Sequence, residues 1–159
     1  MDFQKDKTDR YFMQEALKQA RKAYDQEEVP VGAVIVYKNR IIARAHNQIR
    51  LLKDPTAHAE MIAITQAAGY LENERLLDTT MYVTIEPCAM CAGALVLARV
   101  KQLFFGAHDH KTGACGSVLN VAANKDLNHC LEVNFGLLGQ ECVALMVDFM
   151  RERRNPALN

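Results

Sequence analysis

The stretch TTMYVTIE at residues 79–86 is almost wholly apolar or β-branched, and Pro87 follows it at once. A strand with one face in water alternates apolar and polar residues, whereas a near-continuous apolar run suits a strand covered on both faces. Pro87 is well placed as the first residue of a helix running to about Ala98. Such a strand needs a sheet with helices packed on both sides, and the rest of the chain supplies them. Tyr11 to Gln26 reads as an amphipathic helix, with Phe12 or Met13, Ala16, Leu17, Ala20, Ala23 and Tyr24 on one side and Glu15, Lys18, Gln19, Arg21 and Lys22 on the other. Residues 29–49 read as a hairpin broken at Lys38-Asn39-Arg40, and residues 56–69 as a helix ending at Gly69. Strands are expected at 101–106 and 131–136, separated by a loop region with room for a short helix. Leu138 to Arg154 closes the chain as a helix with a basic end. The first ten residues and the tail PALN are expected to be poorly ordered.

At 159 residues the chain is long enough for one domain with a real core and no disulfide staples. The five cysteines, Cys88, Cys91, Cys115, Cys130 and Cys142, are odd in number and fit reduced thiols in a cytoplasm, some of them holding metal. The opening MDFQKDKTDRYF has charges and no long apolar stretch behind it, so no signal peptide is expected. No apolar run approaches the roughly 20 residues that span a bilayer. Formal net charge is zero, which neither predicts nor excludes a nucleic-acid partner, because local patches set the field at a site.

Two regions compete as a metal site. The loop FGAHDHKTGACGS at 105–117 offers His108, Asp109, His110 and Cys115. PCAMC at 87–91 instead places Cys88 and Cys91 three apart at a strand-to-helix junction, where both sulfurs share a helix face and the helix dipole favours thiolates. Taken alone, that pair also fits a redox or core Cys-x-x-Cys. TAHAEM at 56–61 adds His58 and Glu60 at the start of another helix. Each of these alone fits an ordinary surface or core residue. Two helix starts at the carboxyl edge of one sheet would join His58, Cys88 and Cys91 there, which leaves the loop's histidines and Cys115 as the weaker candidates. Three ligands leave a fourth position for water or hydroxide, as in a catalytic zinc site, and Glu60 stands two residues from a ligand as a proton carrier. The spacing leaves the direction of the Glu60 side chain open, since positions two apart do not share a helix face.

His-x-Glu followed by Pro-Cys-x-x-Cys is the signature of the zinc nucleobase deaminases. With EVPVGAVIV at 28–36, His46-Asn47, DPTAHAEM at 54–61, MYVTIEPCAMCAGAL at 81–95, the 105–117 loop, NHCLEV at 128–133 and the basic closing helix, the chain resembles the bacterial tRNA-specific adenosine deaminases of the cytidine deaminase-like superfamily, from about Tyr11 to Arg154. The resemblance implies an α/β fold of three α/β/α layers around a central mixed five-stranded sheet, one zinc-dependent deaminase domain over 1–159, and a cytoplasmic homodimer with no membrane partner. It implies one Zn2+ per subunit on His58, Cys88 and Cys91 with water or hydroxide as the fourth ligand, and Glu60 as proton shuttle. The expected reaction is conversion of adenosine to inosine at the wobble position of a tRNA anticodon stem-loop, in bacteria usually of an arginine tRNA with an ACG anticodon. Substrate contacts are expected from Asn47 to the flipped purine, from Pro30, Val31, Gly32 and Ala33 beside the base, and from Asp109 near the sugar or backbone. Lys111 and His108 at the loop, and Arg151, Arg153 and Arg154 at the closing helix, complete the expected set. Apart from the resemblance, Asn47 reads as a strand-end turn residue, 30–33 as a strand start, Lys111 and His108 as surface residues, and the terminal arginines as helix-end charge. Cys142 and Phe149 fall on the apolar side of the last helix and read as core. Cys115 and Cys130 are not required by the pattern, and a neutral total is a modest charge for a tRNA binder. A free-base or nucleoside deaminase for guanine or cytosine fits the metal motifs equally well; a structural zinc protein would not need Glu60.

Overall fold

β1 (Gly32–Tyr37) and β2 (Arg40–His46) pair antiparallel across a two-residue turn, Lys38-Asn39, in which both residues have positive φ (47° and 63°). That is the backbone a tight hairpin demands, and Asn tolerates it well. The computed structural model describes residues 3–154, with side chains from Asp9 onward. α1 (Phe3–Asp25) precedes the hairpin; α2 (Ile49–Leu52), α3 (Ala59–Leu71), β3 (Thr79–Ile85), α4 (Ala89–Leu97), β4 (Gln102–Ala107), β5 (Glu132–Phe135) and α5 (Gly139–Arg154) follow. The sheet order is β2-β1-β3-β4-β5, with β1 antiparallel to both β2 and β3, and β3, β4 and β5 mutually parallel. This is the expected mixed five-stranded sheet. β3 lies at its centre, which is why TTMYVTI is so apolar: Met81, Tyr82, Val83 and Thr84 are all buried.

Side chains alternate across the strands and feed two cores. Ala33, Ile35, Met81, Val83, Leu103 and Phe105 pack with Ala59, Ala63 and Ala67 of α3 and Ala92, Leu95 and Val96 of α4. Val34, Val36, Tyr82 and Ala107 pack on the other face with Phe12, Met13, Ala16 and Leu17 of α1 and Cys142 of α5. Cys142 and Phe149 are buried, as their helix positions predict.

Several boundaries differ from the sequence expectation. α1 begins at Phe3, so residues 3–10 are helical where poor order was expected; Tyr82 Oη donates a 2.6 Å hydrogen bond to Asp9 Oδ1 and ties this part of the helix to the sheet. The PALN tail lies outside the described residues. Pro87 is not the first residue of α4. Cys88 is the N-cap (φ −73°, ψ 177°), and the Pro87 carbonyl accepts from Ala114 N–H, which holds it in extended backbone. His58 likewise is the N-cap of α3 rather than a residue of its first turn. α3 runs through Gly69 to Leu71 and ends on Glu72 in the left-handed region (φ 51°), whose N–H reaches back to Gly69. Residues 108–131 contain turns and isolated bridges in place of a short helix. α2 was not expected; the buried carboxylate of Glu28 accepts from Arg50 N–H and Leu51 N–H, both at 2.9 Å, and caps its first turn. Among the described residues no helix is long and apolar enough to cross a membrane.

Candidate active site

The two helix starts meet at the carboxyl end of β3. β3 leads through Glu86 and Pro87 to Cys88, and Cys91 follows in the first turn of α4. His58 arrives from the other side, at the start of α3, which packs against α4. Its Nδ1 lies 3.7 Å from Cys88 Sγ and 3.5 Å from Cys91 Sγ, and the three donor atoms all fall within 4.8 Å of one another. Zinc at its usual distances from sulfur and nitrogen holds tetrahedral donors roughly 3.6 Å apart, so this set fits the ion in both spacing and donor chemistry. Among the described residues no other such group forms, and the loop's histidines and Cys115 stand apart from it. The Cys91 thiol and the His58 ring stabilise the Cys88 thiolate and bring that thiol down to about 4; the Cys88 thiolate and burial push the Cys91 thiol up.

Glu60 is buried, and its Oε2 lies 3.9 Å from His58 Nδ1. Residues two apart diverge on a helix, but His58 is an extended cap, and this turns its ring back over the first turn toward Glu60. Burial pushes the Glu60 carboxyl up, with Cys91 and His58 opposing in part. Asn47, at the end of β2, is buried, and its Oδ1 accepts from Ala59 N–H at 2.8 Å. It therefore docks the strand end onto the start of the histidine helix. Its side-chain nitrogen has no protein acceptor among the described residues.

The 108–117 loop lies directly against this centre. Gly113 bridges Cys88, and Ala114 N–H donates to the Pro87 carbonyl. The loop is folded around one carboxylate that the sequence reading overlooked. Glu86 Oε1 accepts from Asp109 N–H (3.1 Å) and the Ser117 hydroxyl, and stands 3.3 Å from His108 Nδ1. Its Oε2 accepts from Cys115 N–H (3.0 Å) and Ser117 N–H (3.2 Å). Burial works against this charge, but the donors from Ser117, Cys115 and Asp109 outweigh it and hold the carboxyl below its ordinary range. Asp109 in turn closes the tip: Oδ1 accepts from Lys111 N–H (2.9 Å) and Thr112 N–H (3.1 Å), and Oδ2 from Thr112 Oγ1 (2.8 Å).

The MafB19-like deaminase family model matches residues 7–154. A tRNA-specific adenosine deaminase of Bacillus subtilis (strain 168) is 47% identical over 92% of this chain and 91% of its own length. A chain solved in a study of A-to-I editing by tRNA:A34 deaminases at the wobble position superposes with a TM-score of 0.82 at 43% identity, covering 85% of this chain and 98% of that one. The chain belongs to the tRNA-specific adenosine deaminase family. It is thus an enzyme of the hydrolytic deaminase class. A guanine deaminase from Bacillus subtilis is also similar, at 39% identity and a TM-score of 0.59, but over only 62% of this chain and 63% of that one.

Within this deaminase family frame, the remaining candidates sort by position. Val31 and Ala33 pack on the face that carries α3 and α4, and the Val31 carbonyl accepts from Asn47 N–H. Pro30 is buried beside them. Gly32 faces α1 instead: a Cβ there would collide with the Ala16 carbonyl oxygen and the Ala20 nitrogen. Lys111, His108 and His110 are exposed. Phe149 packs edge-on against Tyr24, with ring centroids 5.7 Å apart, which sets the last turns of α5 beside the end of α1 that leads to β1. Arg153 lies over the Phe149 ring at 5.3 Å, Arg151 pairs with Asp148 at 3.8 Å, and Arg154 is exposed. Glu86 and Phe135, which stacks against the loop, were missed: nothing near them in the chain marks their partners.

Proposed function

We propose that the protein deaminates adenosine to inosine at the wobble position of a tRNA anticodon, with an arginine tRNA bearing ACG as the substrate and zinc as the cofactor. The observation that carries this is the three-donor group of His58, Cys88 and Cys91 with the buried carboxylate of Glu60 beside it. A structural zinc site closes with four protein ligands, whereas three ligands and an adjacent acid suit hydrolysis. His58, Cys88 and Cys91 would hold zinc, which would supply the positive charge that brings the pKa of a water toward neutrality.

Glu60 takes a proton from the attacking water and passes it to N1 of adenine as the C6–O bond forms. It then takes the remaining proton from the new C6 hydroxyl and gives it to the amino group, so that the C6–N bond breaks, ammonia leaves and the C6 carbonyl of inosine remains. Burial raises this carboxyl above its ordinary value, which makes it a stronger base than an exposed glutamate. Asn47 directs its unused amide N–H2 at an acceptor of the purine, with Pro30, Val31 and Ala33 alongside. An anticodon loop suits this pocket, because a target base in single-stranded RNA costs little to flip out. Asp109, already committed to its own loop, meets the sugar or backbone with remaining lone-pair capacity. His108 and Lys111, together with Arg151, Arg153 and Arg154, border the RNA. The enzyme is read as a cytoplasmic homodimer.

The local likeness to a guanine deaminase favours a second reading, a free-base deaminase using the same centre. Incubating zinc-loaded protein with a tRNA panel and with free guanine and cytosine, followed by nucleoside analysis, separates the two. Inosine in tRNA is the expected product; turnover of guanine or cytosine with every tRNA untouched would reject the first reading.

A further inference from the structure

Four aromatic rings form a ladder at the carboxyl edge of β4 and β5, outside the catalytic group. Phe105 is its buried foot. Phe135, the last residue of β5, stacks on Phe105 with centroids 5.9 Å apart and planes 24° apart, yet is 65% exposed. The His108 ring lies 4.7 Å from Phe135 and 5.2 Å from Phe105, and His110 stacks on His108 at 5.9 Å and 24°. A large apolar ring left open at a strand end normally loses by its exposure. Here it is braced from beneath rather than loose. His108 Nδ1 is 3.3 Å from Glu86 Oε1 and 3.2 Å from Ser117 Oγ, so the same buried carboxylate that shapes the loop also sets the angle of this ring.

We propose that Phe135, His108 and His110 form a stacking platform for the nucleobase next to the edited one in the RNA chain. This rests on the RNA reading given above. Flipping one base out leaves its neighbours without their stacking partner, and single-stranded RNA is commonly held by aromatic side chains that replace it. Two of its rings, His108 and His110, lie on the loop that bridges Cys88 through Gly113, so a strand whose target base enters the pocket passes over this rim. Rings already ordered by Phe105 and Glu86 lose little freedom when a base settles on them. Stacking tolerates any base, because every base has a flat π-face. The platform therefore holds the strand without reading its sequence.

The test is a cycle between protein rings and RNA bases. Three anticodon stem-loops are used: intact, abasic on the 5′ side of the target adenosine, and abasic on the 3′ side. Each is assayed for inosine with wild type, Phe135→Leu, Phe135→Tyr and His110→Ala. On intact RNA, Phe135→Leu is expected to lower kcat/KM roughly tenfold, the size of one base–aromatic stack. That penalty disappears on one of the two abasic RNAs, and Phe135→Tyr restores most of the wild-type rate. His110→Ala changes a fully peripheral ring and gives the same pattern more weakly, even if Phe135→Leu proves unstable by its zinc content. An equal penalty on all three RNAs, or none on any, overturns the platform. Inosine formed by wild type without dependence on these rings rejects the platform alone; no inosine in any RNA rejects the RNA reading along with it.

Discussion

Glu60 and Glu86 are both buried carboxylates within a few residues of metal-type ligands, and they do different work. Glu60 has a histidine 3.9 Å away and no set of backbone donors; Glu86 is saturated by three backbone N–H groups and a hydroxyl. Changing Glu60→Gln is expected to leave metal content intact and to cut turnover by about 10²–10⁴, since only proton transfer is removed. Metal analysis and inosine assay check this, and loss of the metal would contradict the role. Glu86→Gln keeps shape but turns one oxygen into an N–H2 that faces donors whichever way the amide lies. It is expected to cost roughly 2–4 kcal/mol in urea unfolding. The Glu86 carboxyl lies below its ordinary value, so its contribution is complete above pH 4.5 and is lost as pH falls through its depressed folded value. The acid limb of the stability curve is therefore expected to be flatter in Glu86→Gln than in wild type. The two residues were unequally legible in the sequence. His58, Glu60, Cys88 and Cys91 form short motifs whose spacing carries their chemistry. The partners of Glu86 are backbone groups 23 to 31 residues downstream, and backbone donors leave no mark on sequence.

At the scale of elements, apolar patterning together with turn and Pro signals located every long helix and all five strands, because burial on two faces or one stripe must be written into side-chain order. Caps were less visible. Pro87 and His58 both read as helical residues, yet each stands outside its helix, held there by the Pro87 carbonyl bond to Ala114 and by the docking of Asn47 on Ala59. These contacts cross between elements and so are hidden from local rules. They also matter for the site, because extended caps are what turn His58 and Cys88 toward each other. α2 depended on Glu28, 21 residues before it, and had no local signal. Gly32 shows the same limit: it reads as a strand start beside the substrate, but α1 packs so closely that no side chain fits. Gly32→Ala is expected to destabilise the fold by about 3 kcal/mol or more, since backbone atoms of α1 cannot move aside locally. A stability like that of wild type, measured by denaturant unfolding, would mean that α1 can shift.

Across the whole molecule, charges sum to zero, so any polyanion must be drawn by local groups. The exposed basic end of α5 is one such place. Arg151→Ala combined with Arg154→Ala, which spares the Arg153 stack on Phe149, is expected to raise KM for RNA at low salt and to weaken its salt dependence by a slope of about 1 to 2. An unchanged slope would confine these arginines to a helix-end role. The metal-type group sits at the carboxyl end of the central strand β3, and the RNA reading requires that end to act on a single base of a folded tRNA. The most direct measurement offers zinc-loaded protein an arginine tRNA with an ACG anticodon together with free guanine, and maps inosine by position. Inosine confined to the wobble position, absent with Glu60→Gln, is the predicted result; deaminated guanine beside unmodified tRNA would contradict it.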